Sequence, residues 1–448
     1  MDLVLIGGGE FGHQIASALH RSHNVTVVDQ DEQAGSSFET LDVRFMRGNG
    51  ADPDDLAEAG AASADALIAC TGNDDVNVLS CLAGKGLGAG RTLAFVSRQR
   101  YLDAFSHEGA MARVGLSIDR VLWPQRILAR QIAAIVRVPR ALDSTSFAED
   151  RLHMLEYRLE EDDPFVGSSL AEADVPPSAL MVGSIRGDDF IIPSGSTILC
   201  PGDKVVFLGT RESMRAVEKR FAPRKRRVRV TILGGGNVGF MVAQRLQDAH
   251  ARITIVEQDE ARCEKLAALL PGVLVLHGDG TDLELMEQER LDDSDVVVAV
   301  TDDDGKNLLA SLLAKQLGVP KVVTRVGRAR NRRLFERVGI DSPLTPRTAA
   351  LQEVLNWLEI DEVDHLATIE DRAEVMEVTY PFQGAVGKVR DLGAPADSLI
   401  GAIVRRDKVI IPSGETTIQH GDRLYVVTTP GNVSAVEAWL ERQRRAGG

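Results

Sequence analysis

With 44% hydrophobic and 26% charged residues, this chain of 448 residues is ordinary globular material, enough for about three domains. Its formal net charge of −15 argues against a general nucleic-acid binder, which would carry a basic surplus. The cysteines Cys70, Cys81, Cys200 and Cys263 are scattered with no C-x-x-C pair, which argues against a disulfide framework or zinc site and fits a reducing compartment. No stretch approaches the roughly 18 apolar residues of a membrane helix. The first strand follows directly on Met1-Asp2, so a soluble, cytoplasmic protein without a signal peptide is expected.

In chain order, Leu3-Val4-Leu5-Ile6 is an aliphatic run that breaks into Gly7-Gly8-Gly9-Glu10-Phe11-Gly12 and then takes up a helical period to Arg21. A buried parallel strand that meets a G-x-G-x-x-G turn aims the next helix's N–H groups and positive end at an anion. Such a site asks for an acid roughly 20 residues on to accept ribose hydroxyls. Asp29 closes the strand run 25–28 and supplies it. Further strands are predicted at 43–46, 66–70, 93–96 and 118–122, with Pro53 and Pro124 opening helices. Strands alternating with helical periods predict a parallel sheet covered on both faces.

Short strands with turn signals follow. Ile191-Ile192-Pro193-Ser194-Gly195 and Pro201-Gly202-Asp203 lead into a helix over 212–220. The basic stretch from Lys219 to Arg229, including Pro223 to Arg227, reads first as an interdomain linker, with a binding patch for phosphate or lipid headgroups as the alternative. Then the grammar repeats. Gly234-Gly235-Gly236-Asn237-Val238-Gly239 lies 234 − 7 = 227 residues after its first copy, and Glu257 closes strand 253–256 as Asp29 does. Thr301 and Asn307 repeat Thr71 and Asn77 at 301 − 71 = 230 residues. Ile410-Ile411-Pro412-Ser413-Gly414 and His420-Gly421-Asp422 repeat the small module at 412 − 193 = 219. The order is A-B-A-B, which makes four domains.

Crevice residues of such sheets come from the carboxyl ends of the strands. In the first unit these are Gly7, Gly9, Glu10, Phe11, Gly12, Asp29, Asn49, Thr71 and Asn77; in the second, Gly234, Gly236, Asn237, Val238, Gly239, Glu257, Asp279, Thr301 and Asn307. Thr71 and Thr301 fit either helix capping or a phosphate contact. Arg98 and Arg328, just past the fifth strands, fit either phosphate neutralisation or a solvated surface. No catalytic set accompanies these folds. The nine histidines show no metal-ligand spacing, and there is no G-x-S-x-G or H-E-x-x-H. Two cofactor folds without chemistry point to sensing and not to an enzyme, the rival being an NAD-dependent oxidoreductase.

The duplicated glycine fingerprint, the Gly48-Asn49-Gly50 and Gly278-Asp279-Gly280 turns, the Thr-x6-Asn elements and the Ile-Ile-Pro-Ser-Gly modules together resemble the TrkA family. These are cytoplasmic regulatory subunits of Trk-type bacterial potassium uptake systems, built from tandem RCK domains. The resemblance implies an α/β fold of two Rossmann-like parallel-sheet domains, each followed by a small α+β RCK-C domain. The implied ranges are 1–140 and 228–362 for the RCK-N domains, and 141–222 and 363–446 for the RCK-C domains. It further implies NAD(H) in the crevice, and ATP or ADP. The implied partner is a membrane potassium-translocating subunit of the TrkH or TrkG kind, on the inner face of the plasma membrane, and the implied assembly is a homotetramer. A regulator of another cation transporter remains the alternative within this resemblance.

Two departures bear on ligand choice. Glu10 places a carboxylate in the first phosphate loop, which disfavours a triphosphate. Asn49 and Ala51 stand where the second unit has Asp279 and Thr281, so the second crevice is the more orthodox. The apolar helix Ile127 to Val136 is expected to hold the oligomer, with packing inside its own subunit as the competing reading.

Overall fold

The computed structural model describes residues 1–448 except 107–108, 139, 188, 222–226, 250, 359–362, 371, 381–386, 407 and 447–448. Of the basic stretch Lys219 to Arg229 expected as a linker, Lys219 to Phe221 end the helix Arg211–Phe221, Arg229 begins a strand, and 222–226 lie outside the described residues. The chain forms two compact units, one of residues 1–128 with 346–351 and the other of 129–345 with 352–448.

In the first unit, β1 (Asp2–Ile6), β2 (Asn24–Asp29), β3 (Arg44–Arg47), β4 (Ala66–Ala69), β5 (Arg91–Phe95) and β6 (Arg120–Leu122) form one parallel sheet in the order β3-β2-β1-β4-β5-β6. This is the doubly wound dinucleotide order, which opens a crevice where β1 and β4 send their helices to opposite faces. Leu3 to Ile6 and Ala66 to Ala69 are buried throughout, as strands covered on both faces must be. Helix boundaries follow local chemistry. Asp52 caps Pro53–Glu58 with proline in the first turn, and Asn73 caps Asp74–Leu87 by accepting from the N–H groups of Asp75 and Val76.

The second unit begins with an antiparallel sheet of β7 (Ala141–Phe147), β8 (Leu152–Arg158), β9 (Ala179–Arg186), β10 (Asp189–Ile191) and β11 (Lys204–Thr210), in the order β10-β9-β11-β8-β7. A second parallel sheet follows, made of β12 (Arg229–Leu233), β13 (Arg252–Glu257), β14 (Leu274–His277), β15 (Val296–Ala299), β16 (Lys321–Arg325) and β17 (Ser342–Leu344), ordered β14-β13-β12-β15-β16-β17. The last sheet holds β18 (Val363–Ile369), β19 (Ala373–Thr379), β20 (Ser398–Arg405), β21 (Lys408–Ile410) and β22 (Arg423–Thr428), in the order β18-β19-β22-β20-β21.

Each antiparallel sheet keeps a buried cluster of its own, around Tyr157 and Phe207 in the first and Ile403 and Trp439 in the second, and the two also share one. Phe147, Val182 and Leu208 of the first share one buried cluster with Val375, Val404 and Val427 of the second. They approach so closely that a Cβ on Gly401 would meet Leu208 at 2.8 Å and Val182 at 3.0 Å.

The helix expected to hold an oligomer is Pro124–Arg137. Leu128, Ala129, Ile132, Ala133, Ile135 and Val136 are already buried within the single chain, so the competing reading holds and the apolar face is spent internally. Its C-terminal carbonyls are met by Lys321 at the start of β16, whose ammonium donates to Ile135 O at 2.6 Å and Val138 O at 3.2 Å. Burial pulls this lysine down to about 7, against the opposing attraction of Asp341 and Asp143. Between pH 7 and its ordinary value the unfolded chain holds a proton that the folded chain lacks, so this group makes stability rise with pH across that window. Denaturant unfolding at pH 7, 8 and 9 should show that rise, and Lys321→Met should remove most of it.

Candidate functional site

Each glycine turn works through three positions. Gly7 and Gly234 adopt φ of +112° and +105°, a backbone that side chains strain to reach. Gly12 and Gly239 bring the helix onto the turn; an added Cβ would lie 1.9 Å and 2.0 Å from the carbonyl oxygens of Gly7 and Gly234. Gly9 and Gly236, the N-caps, have nothing within 4 Å of an added Cβ. The middle glycine faces open space, where a phosphate can reach the backbone.

The acids ending β2 and β13 are fastened to these turns. Asp29 accepts from Gly8 N at 2.5 Å and Asp31 N at 2.8 Å; Glu257 accepts from Gly235 N at 2.7 Å and Asp259 N at 2.9 Å. A carboxylate has about four lone-pair sites, so two remain to receive a ribose diol.

In the second crevice these features border a cavity of about 530 Å³, within the usual size range of small-molecule sites. Gly234, Gly236, Glu257, Asp279 and Thr301 line it, as does Lys306. Lys306 falls within the crevice run 301–307 read from the sequence but was not singled out as a site residue, its counterpart at 306 − 230 = 76 being Val76. Its ammonium donates to Gln258 Oε1 at 2.9 Å and lies 3.5 Å from Asp279 Oδ2. The Thr281 hydroxyl and N–H, at 2.7 Å and 2.9 Å, hold the Asp279 carboxyl below the usual range. Arg325, at the end of β16, was also missed. It donates to Thr301 O at 2.8 Å and pairs with Asp302, and its Nε is buried without a hydrogen-bond partner. Its first-unit counterpart is Phe95, so the repeat gave no signal for it.

Other sequence candidates take different roles. Asn77 and Asn307 are buried to 1% and 0% exposure. Asn77 Oδ1 accepts from Thr71 N at 2.8 Å and Thr71 Oγ1 at 2.7 Å, while its amide donates to Thr71 O at 3.0 Å and Phe95 O at 2.9 Å. Asn307 repeats this clasp on Thr301 and Arg325 O at 2.9, 2.7, 3.0 and 3.0 Å. Both amide hydrogens are spent, so these asparagines shape the loop and do not face the crevice.

Arg98 is engaged by Asp74 at 2.9 Å and by Tyr101 at 3.2 Å. The Arg328 side chain is exposed, and its backbone N–H reaches Asp304 at 3.4 Å. Asn49 accepts from Ala51 N at 3.1 Å and so closes its own turn. Phe11 packs edge-on to Phe95, with ring centroids 4.7 Å apart, and Val238 is buried. Asn237 is exposed at the start of its helix. Glu10, at the first residue of helix Glu10–Leu19, is ion-paired with Arg347.

A Rossmann-like parallel sheet followed by a small antiparallel sheet, written twice in one chain, defines a tandem dinucleotide-fold protein. The TrkA-N domain family matches residues 3–115 and 230–346, and the TrkA-C domain family matches 154–222 and 387–441. The chain belongs to the TrkA family. It is 36% identical over 453 residues to the Trk system potassium uptake protein TrkA homolog 1 of Methanosarcina mazei, covering 98% of this chain and 100% of that one. The corresponding protein of Archaeoglobus fulgidus is 35% identical, covering 98% and 99%. TrkA of Haemophilus influenzae is 30% identical, covering 98% of each.

Among solved structures, the GsuK channel bound to NAD is similar with a TM-score of 0.62 at 20% identity, covering 98% of this chain and 79% of that one. The GsuK RCK domain gives 0.61 at 19% identity, covering 98% and 95%. These likenesses show the shared fold. The relatives are named for potassium uptake and not for an enzymatic reaction, in agreement with the non-enzymatic reading.

Proposed function

We propose that this chain is a nucleotide-sensing regulatory subunit that gates a membrane potassium-translocating partner of the TrkH or TrkG kind. Its two RCK-N domains, over 1–140 and 228–362, bind NAD(H), and ATP or ADP, in their crevices. The RCK-C domains, over 141–222 and 363–446, carry the response. The observation that carries the reading is the second crevice. There an open glycine N-cap, a diol-ready Glu257 and a lysine surround a cavity of about 530 Å³. Membership in a family whose members are named potassium uptake proteins supplies the process. A neighbour of the same fold was solved with NAD.

Among the described residues no helix is long and apolar enough to cross a membrane, and in this reading the translocation path is supplied by a partner. The subunit sits at the inner face of the plasma membrane. Coupling between one ligand site and a distant gate is typically about 1–3 kcal/mol, whereas swinging a gate from shut to open takes roughly 5.5 kcal/mol. Several sites acting together supply that difference, which favours a homo-oligomer, and the family resemblance makes it a homotetramer.

The test is equilibrium binding of NAD, NADH, ATP and ADP to the purified chain. Glu257→Ala should weaken binding at the second crevice at least 10-fold, and Asp29→Ala should do the same at the first. Ligand should be recovered unchanged. No binding of any of the four, or turnover of NADH, would overturn the reading.

A further inference from the structure

We infer that Arg347 is a phosphate-binding residue of the first crevice, with the Glu10 carboxylate occupying its guanidinium until a nucleotide arrives. This rests on the reading of the first crevice as a nucleotide site and names a residue and an exchange within it.

Glu10 follows Gly9 directly and begins helix Glu10–Leu19. The first hydrogen bond of that helix runs from His13 N to Gly9 O at 2.9 Å. N–H groups before it have no helical partner and form the anion-binding end of the helix. A carboxylate here stands among groups arranged to receive phosphate. Alone, it would repel the ligand.

It is not alone. Arg347, 337 residues away in the chain, forms an ion pair with it. Arg347 lies in the first turn of helix Pro346–Leu358, and that turn carries no acidic residue. A cation at a helix N-terminus stands against the helix dipole, so its own helix does not stabilise it there. It is matched instead to an anion across the gap.

The pair is also cheap to exchange. Arg347 and Glu10 side chains are 35% and 44% exposed. Ion pairs this wet contribute little to stability. A guanidinium binds phosphate oxygens through two parallel N–H bonds, and such charge-assisted pairs are stronger than neutral ones. A nucleotide phosphate arriving at Gly9 therefore has an arginine to take, and Glu10 can turn out to solvent. The second crevice has Asn237 where the first has Glu10, so the internal anion is a feature of the first site only. A ligand in the first crevice then grips a helix encoded in the last third of the chain, and its occupancy is read there directly.

Calorimetric titration of the full-length chain with ADP and with NADH tests this, in a Glu257→Ala background that weakens the second crevice at least 10-fold and so separates the two sites. Arg347→Gln should weaken binding about 10-fold, the usual scale for one charged hydrogen-bonding partner. Glu10→Gln should tighten it about 3-fold or more, because a competing anion is gone. Thermal unfolding should hardly move in either variant. A merely structural ion pair predicts that the two substitutions act alike. Affinities that move together, or not at all, in a protein that binds ADP or NADH overturn the role of Arg347 alone. No binding in the Glu257→Ala background overturns the first-crevice reading and this inference with it.

Discussion

Gly239→Ala should cost about 3 kcal/mol of folding stability and empty the second crevice, whereas Gly236→Ala should leave the fold intact and lose nucleotide affinity. The two positions lie three residues apart in one turn and fail for different reasons. A methyl on Gly239 would lie 2.0 Å from the backbone carbonyl oxygen of Gly234, with Ile232 at 3.3 Å behind it. Neither the turn nor β12 can yield, because Gly234 holds φ at +105° and donates its N–H to Val256 O at 2.9 Å. The helix must move off the sheet, and overpacking of this kind typically costs 1–3 kcal/mol, occasionally more.

At Gly236 nothing lies within 4 Å, and φ of −61° with ψ of −167° suits alanine. The methyl would fill the space a pyrophosphate uses, so affinity should fall about 10-fold or more with stability changed by under about 0.5 kcal/mol. Denaturant unfolding and nucleotide titration on both variants check this. Equal stability losses would show that the middle glycine serves the fold and not a ligand.

Asp422→Ala should destabilise the C-terminal module by about 2–3 kcal/mol, with Asp422→Asn losing roughly half as much. The sequence shows Asp422 only as part of a repeated Gly-Asp turn. In the structure its side chain is 1% exposed and accepts from Arg405 Nε and Nη2, both at 2.8 Å, and from Gln419 N at 2.8 Å. The first module repeats the arrangement with Asp203, Arg186 and Cys200 N at 2.8, 2.6 and 2.9 Å. Burial would raise the Asp203 carboxyl, but the Arg186 guanidinium and the Cys200 N–H outweigh it and hold the group below its ordinary value.

Removing one partner of a buried pair leaves the other uncompensated, which costs about 3–5 kcal/mol when both are fully buried. Arg405 is 27% exposed and keeps Thr417 O at 2.7 Å, so water relieves part of the loss. Unfolding of each variant followed by circular dichroism measures it, and a change under about 1 kcal/mol would show the pair to be expendable.

What the sequence determined was local and periodic. Leu3 to Gly12 and Thr231 to Gly239 carry strand, turn and helix start in ten or fewer consecutive residues, because buried strands need continuous apolar runs and the turn needs glycine at fixed places. The acids Asp29 and Glu257 are set by the length of one strand–helix–strand unit, so their place at the glycine turn was legible too. Repetition at near-constant offsets then gave the A-B-A-B order without any structure.

What only the tertiary structure decided depends on partners far apart in the chain. No period in Asn77 or Asn307 distinguishes a ligand contact from a clasp saturated by Thr71 and Phe95 O, or by Thr301 and Arg325 O. The apolar stripe of helix Pro124–Arg137 announces burial but not against what, and the chain itself covers it. The two antiparallel modules read as separate units because each has its own turn signals. Their shared core arises from strands some 200 residues apart that meet face to face. Arg347 reaches Glu10 for the same reason. Local sequence fixes the direction of a backbone over a few residues, while side-chain contacts across the fold depend on how finished elements close on one another.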